Sequence, residues 1–259
     1  MERNKLFGFD FVTCECVEHV AEYIINFEIF DLDDNKIPFV ITPNVDQIVK
    51  FNHYFELRSF YDKSFLILPD GAPVIVVSRL LGKPLAGRLT GSDLFGVLFK
   101  RIKAKNERCF FVVSRNKIGL KLMSEYDNII WEAAPFFDAD DRVMIGNLAN
   151  KYSGVIEREM PKYVFIGLGF PKQERLGKLI FLKLMERRKY VPVFLLLGAA
   201  FEFYTGLKRR APLLMRRLGL EWFFRLMLEP RRLSKRYLFD DLQFVKILLH
   251  ELANSKNVD

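Results

Sequence analysis

The chain has 259 residues, half of them hydrophobic, and its 40 Lys+Arg against 32 Asp+Glu give a net charge of +8. That apolar content excludes a disordered chain, and 15 Gly with 11 Pro exclude collagen-like and low-complexity classes. The longest apolar run, Val191 to Phe201, is 11 residues with Pro192 and Gly198 inside it, whereas a bilayer crossing takes roughly twenty.

In chain order, the mixed charges of Met1 to Asp10 predict no signal peptide. The segment up to about Lys36 predicts a short strand and a helix, closed by a turn at Asp33-Asp34-Asn35. Strand-like runs follow at 38–41, 64–68, 109–113, 129–132, 163–166 and 192–197. Helical patterns fall between them, at 46–61, 72–81, 91–106, 117–125, 141–151 and 172–186. This alternation predicts an α/β, Rossmann-like fold, with a largely parallel sheet and helices on both faces. After Gly206 the pattern turns helical, with Pro230 separating helices at 212–229 and 231–253. In the second, Leu238, Leu242, Val245, Leu249 and Leu252 recur at steps of three and four, which predicts one buried stripe. The expected division is an α/β domain over 1–206 and a basic helical appendage over 207–259.

Charge supports that division. From Lys208 to Arg236 there are ten basic residues against Glu221 and Glu229, so this segment carries the whole net charge. The same segment holds Leu213, Leu214, Trp222, Phe223 and Met227. Basic residues among large apolar ones read either as an interfacial helix at an anionic membrane surface or as a packed helix with a solvated charged face. Nucleic acid is the third and weakest reading, because phosphate-reading surfaces carry few aliphatic residues.

In open parallel sheets, ligands bind beyond the carboxyl ends of the strands. The loops there are Thr42-Pro43-Asn44, Pro69-Asp70-Gly71, Gly167-Leu168-Gly169-Phe170-Pro171-Lys172-Gln173-Glu174 and Gly198 to Glu202. If the strands are neighbours, all four open on one rim. Asp70 is the candidate catalytic carboxylate, or else a turn aspartate bonded to its own backbone. Thr42 and Asn44 are site residues or caps of the following helix. Thr90 or Ser92 caps the helix from Gly91, whose free N–H groups would suit an anion. The Gly167–Glu174 stretch reads as a phosphate turn and lacks the third glycine of a dinucleotide fingerprint. Asp31-Leu32-Asp33 and Asp138-Ala139-Asp140 have the spacing of a metal–diphosphate motif, but both read as solvated turns. Cys14, Cys16 and Cys109 lack a second Cys/His pair for zinc and predict a reduced, cytoplasmic setting. His19, His53 and His250 have no partner motif. No metal and no cofactor are expected.

Five stretches, in order from Thr42 to Tyr237, carry a family resemblance: ITPNVDQIV, LPDGAPVIVVSRLLGKPLAGRLTGSDLF, VFIGLGFPKQE, LGAAFEFYTGLKRRAP and GLEWFFRLMLEPRRLSKRY. Together they resemble the WecG/TagA/CpsF family of bacterial glycosyltransferases, glycosyltransferase family 26. The resemblance implies a GT-E type α/β fold with a helical C-terminal appendage. It implies inverting, metal-independent transfer of a sugar from a UDP-sugar donor to a polyprenyl-diphosphate-linked saccharide. The setting implied is cell-surface polysaccharide or teichoic-acid synthesis, peripheral on the inner face of the cytoplasmic membrane. Asp70 would be the base, with Thr42 beside it. Asn44, Arg88, Gln173, Gly167 and Gly169 would bind the donor. Arg225, Arg232 and Arg236 would stabilise the diphosphate. Three positions depart from the family pattern: Val113 to Lys117 in place of a Gly-rich turn, Glu202 in place of an aspartate, and Leu214 in place of a tryptophan. The rival is a non-catalytic nucleotide-binding or partner-docking module. The oligomeric state stays open between monomer and homo-oligomer.

Overall fold

The computed structural model describes residues 1–217, 219–230, 243–249 and 251–252. Eight strands form one sheet in the order β1-β2-β4-β3-β8-β7-β5-β6. They are β1 (Arg3–Leu6), β2 (Phe9–Val12), β3 (Ile37–Ile41), β4 (Ser64–Ile67), β5 (Cys109–Val113), β6 (Ile129–Ala133), β7 (Tyr163–Ile166) and β8 (Val193–Leu196). Among the described residues, only the β1–β2 hairpin is antiparallel; every other pairing is parallel. The six predicted central strands are therefore present, close to their predicted bounds. Their legibility has a physical cause. A strand covered on both faces must be apolar at every position, and all five residues of β5, CFFVV, are buried.

One face of the sheet is covered by α2 (Val45–His53), α3 (Phe55–Tyr61), α4 (Ala72–Leu80), α7 (Arg142–Glu159) and α8 (Lys172–Glu186). The other carries α1 (Val17–Asn26), α5 (Gly91–Lys105), α6 (Asn116–Met123) and α9 (Ala200–Tyr204). Phenylalanine fills both layers. Phe39 and Phe194 stack at 4.7 Å on one side, and Phe111 and Phe165 at 4.6 Å on the other. Each such ring adds about 1.5–3 kcal/mol when removed from water.

Five boundaries differ from expectation, the first being α7, which runs on to Glu159 past its expected end at 151. The amino-terminal segment is a hairpin of two strands, because Phe7 and Gly8 both take positive φ and turn the chain within two residues. The predicted 46–61 helix breaks at Tyr54, which leaves helical geometry at φ −114 and ψ 69. The predicted loop after β8 starts a short helix, α9, at Ala200. The 212–229 helix breaks at Gly219 into α10 (Leu213–Arg217) and α11 (Glu221–Leu228).

The last described helix, residues 243–249 with 251–252, packs on the body through Phe244, Ile247, Leu248 and Leu252. Val245 and Leu249, expected in its buried stripe, are exposed. Neighbouring stripes on one apolar helix have the same periodicity, so spacing alone does not select the docked one. Leu238 and Leu242 lie outside the described residues.

Candidate active site

The cleft follows from topology. After β3 the chain passes to α2 on one face, and after the neighbouring β8 it passes to α9 on the other. The two loops diverge, and a crevice opens between them at the carboxyl rim. It is a cavity of about 440 Å³, lined by residues from all four predicted rim loops. Thr42, Asn44, Asp70, Gly167 and Gly169 line it together, although they are far apart in sequence.

Asp70 leaves β4 half-buried, with its backbone N–H donating to Pro43 O at 3.3 Å. Gly71 follows at φ +102, a backbone state that favours glycine, and this turn starts α4 directly behind the carboxylate. Asn44 caps α2 through a reciprocal box. Its side chain accepts from Gln47 N–H at 3.1 Å, and Gln47 Oε1 accepts from Asn44 N–H at 3.2 Å. Cap and cleft wall are thus one residue. Thr42 is buried, and a Cβ on Gly91 would stand 3.1 Å from its Oγ1, so the amino end of α5 lies against it. Thr90 caps α5 through Asp93 N–H at 3.1 Å. Gly91 and Ser92, at the start of that 15-residue helix, face the cleft.

Gly167 is needed for close approach. A Cβ there would stand 2.4 Å from the Phe201 ring and 2.9 Å from Gly198 O. Gly167→Ala is expected to lower unfolding free energy by about 1–3 kcal/mol, read by urea denaturation. Unchanged stability would mean that the α9 wall yields freely.

Arg88 and Gln173 stand behind the cleft and are not among its lining residues. Arg88 pairs with Glu221 of α11 at 3.6 Å. Gln173 is buried and braces two rim loops: its Oε1 accepts from Gly198 N–H at 3.1 Å, and its Nε2 donates to Glu174 Oε1 at 2.9 Å. Burial pushes the Glu174 carboxyl up to about 7, with the Gln173 hydrogen bond partly opposing it.

Two departures from the family pattern meet in the cleft. Ser114 Oγ donates to Glu202 Oε1 at 3.0 Å, and Glu202 also pairs with Lys208. Lys208, Arg209, Leu228 and Glu229 bring the C-terminal segment to the rim. Arg225 lies in α11 with its side chain outside the described residues; Arg232 and Arg236 lie outside them altogether.

Sequence reasoning gave Asp93 no role, and the structure makes it the anchor of this segment. Arg210 holds both of its oxygens at 2.8 Å, and Arg216 reaches Oδ1 at 3.3 Å. Burial opposes ionisation of Asp93, but hydrogen bonds from Arg210 and Thr90, with the two guanidinium charges, hold its carboxyl below the usual range. Asp93→Ala is expected to speed tryptic cleavage at Lys208 to Arg210 while the α/β body resists. Equal cleavage rates would mean that other contacts hold the segment.

The acidic D-x-D turns behave as solvated loops. Asp33 and Asp138 accept from backbone N–H groups of Asn35 and Asp140, each at 2.8 Å, and none of these aspartates lines the cleft. Among the described residues, no group of three His, Cys, Asp or Glu is placed to hold a metal ion. Among them also, no helix is long and apolar enough to cross a membrane.

A crevice at the carboxyl rim of a parallel sheet, with a carboxylate, a helix amino end and cations on its walls, defines a Rossmann-like ligand-binding α/β protein. The chain belongs to the glycosyl transferase WecG/TagA/CpsF family, whose model matches residues 8–258. It is therefore a glycosyltransferase. Three similar proteins are each named N-acetylglucosaminyldiphosphoundecaprenol N-acetyl-beta-D-mannosaminyltransferase. The one from Bacillus subtilis (strain 168) is 33% identical over 86% of this chain and 83% of its own length. The one from Bacillus spizizenii is 28% identical over 99% and 95%. The one from Staphylococcus aureus (strain MRSA252) is 26% identical over 97% and 92%.

Proposed function

We propose that this enzyme moves a sugar from a UDP-sugar to a saccharide carried on a polyprenyl diphosphate, with inversion and without a metal, in cell-surface polysaccharide or teichoic-acid synthesis. The observation that carries this reading is the convergence of Asp70, Thr42 and the amino end of α5 in one cleft with Lys208 and Arg209. The relatives' shared name supplies the acceptor class.

Asp70 takes the proton of the acceptor hydroxyl as that oxygen attacks the anomeric carbon, and the bond to the nucleoside diphosphate breaks on the opposite face. Thr42 stands beside the base on the acceptor side of the cleft, and Asn44 contributes to the donor side. Gly169 keeps the donor wall free of a side chain, and Gly167 lets that wall pack against Phe201. The leaving diphosphate gathers negative charge, which the free N–H groups of α5 and the cations of the C-terminal segment stabilise. Arg225, Arg232 and Arg236 belong to that cationic set. Gln173 and Arg88 act from behind, the first by bracing the rim loops and the second by holding α11 through Glu221.

The division at 1–206 and 207–259 gives the appendage two tasks in this reading. Leu213, Leu214, Trp222, Phe223 and Met227 are exposed on it among basic residues, the composition of a surface that lies on an anionic bilayer. The same segment closes the cleft. Docking on the inner face of the cytoplasmic membrane would then join acceptor capture to completion of the site.

The test is nucleotide release from a panel of UDP-sugars, with a polyprenyl-diphosphate-linked N-acetylglucosamine acceptor in liposomes. The expected result is release that requires one sugar and the lipid acceptor, and that is lost on truncation after Gly206. Full lipid-acceptor activity in the truncated chain would overturn the appendage's role. Release of no nucleotide with that acceptor would overturn the acceptor assignment.

A further inference from the structure

A second cavity opens at the opposite end of the sheet. There the β1–β2 hairpin turns, α2 and α4 end, and the C-terminal helix docks through Phe244, whose ring lies 5.3 Å from that of Phe7. Its volume is about 600 Å³. The charged lining comes from separate elements: Lys5 of the hairpin, Arg58 of α3, Lys83 after α4, and Lys246 and Glu251 of the C-terminal helix.

Four cations face one carboxylate in this cavity, and that carboxylate is engaged, because Glu251 Oε1 accepts from Phe7 N–H at 3.2 Å. Arg58 is also engaged, donating to Phe7 O at 2.9 Å and to Asn52 Oδ1. Among the described residues, the ammonium groups of Lys5, Lys83 and Lys246 have no hydrogen bond and no ion pair. All three lysines are exposed residues at this cavity. Three unpaired ammonium groups around one hollow repel one another, and a small multivalent anion relieves that repulsion at several contacts together.

We propose that this cavity is a binding site for a phosphate-class oxyanion, which bridges Lys246 of the C-terminal helix to Lys5 and Lys83 of the body. Such a ligand is either a free phosphate or diphosphate, or the headgroup of an anionic lipid; the recognising chemistry is the same. Its effect is to fasten the appendage at its far end. The appendage meets the cleft at Leu228 and Glu229 and reaches the body again at Phe244, so the oxyanion fastens the helix of residues 243–249 to the body. This inference does not depend on the donor or acceptor assigned to the cleft.

The experiment uses the full chain, with inorganic diphosphate as probe and amide hydrogen exchange of residues 243–249 as readout. Wild type is expected to gain protection on titration. The double variant Lys83→Gln/Lys246→Gln is expected to need at least roughly tenfold more diphosphate, and Lys83→Arg/Lys246→Arg to restore the response. The second arm is sedimentation with vesicles of pure phosphatidylcholine or with added phosphatidylglycerol. If the double Gln variant also loses binding to the anionic vesicles, a lipid headgroup is the ligand; if that binding is unchanged, a free oxyanion is. Equal diphosphate protection in wild type and double Gln variant, or no protection in wild type together with unchanged vesicle binding, would overturn the site.

Discussion

Asp70→Asn is expected to cut turnover by about 10²–10⁴-fold, the range that a general base contributes. Asparagine keeps the shape of the side chain and cannot accept the acceptor's proton. The substitution changes neither Gly71 nor the backbone bond from Asp70 N–H to Pro43 O, so α4 keeps its start. UDP affinity should therefore stay within about threefold of wild type, because the diphosphate sites are the α5 amino end and the C-terminal cations. The measurement is a split one: steady-state nucleotide release with the lipid acceptor, and UDP titration followed by calorimetry. Lost release with retained affinity identifies a base. Loss of both would give Asp70 a binding or structural role, and unchanged release would move the base to another residue of the cleft.

Asp70 was legible because one rule, that ligands bind beyond parallel strand ends, turns sequence into position once the strands are known. Those strands were readable since burial on both faces leaves them almost wholly apolar, as in β5 and β8. The same rule put the loops of Thr42, Asn44, Gly167 and Gly169 on one rim, and the family resemblance gave those residues their roles. Arg88 and Gln173 show where it stops. The family resemblance singled both out, Gln173 within a rim loop and Arg88 in the polar cluster before α5, yet their side chains turn to Gly198 and Glu174 and to Glu221, and such contacts have no sequence period. Asp93 is the sharper case. In sequence it is the third residue of a helix, where an acid is favoured by the dipole. Its partners Arg210 and Arg216 lie 117 and 123 residues away. The break at Tyr54 was hidden for another reason: no Gly or Pro marks it, and α3 restarts at once.

Glu174→Gln is expected to stabilise the protein above neutral pH and to leave it nearly unchanged in acid. Glu174 is buried, its Oε1 takes one hydrogen bond from Gln173, and its Oε2 has no partner among the described residues. Ionisation there leaves a desolvated charge with only neutral donors, the Gln173 amide and its own backbone N–H. Folding therefore raises the carboxyl from its ordinary value of 4.5 to about 7. A folded value above the unfolded one means that the native state holds the proton more tightly. The stabilisation is complete below the unfolded value and is lost as pH climbs from about 4.5 to about 7. The loss across that window is on the order of 3 kcal/mol, after which the difference is level. Glutamine remains neutral throughout and can still accept from Gln173 Nε2. Urea unfolding of both proteins at a series of pH values isolates this group, since every other titration is common to the two. The curves should coincide near the acid end and diverge in favour of the variant up to neutrality. Parallel curves would mean that folding leaves the Glu174 carboxyl at its ordinary value, so that its ionised form is satisfied in the native state. The brace supplies a second readout, because Gln173 joins Glu174 to Gly198 at the rim of the cleft. A neutral residue at 174 should leave donor affinity independent of pH across the window in which the wild type loses its proton.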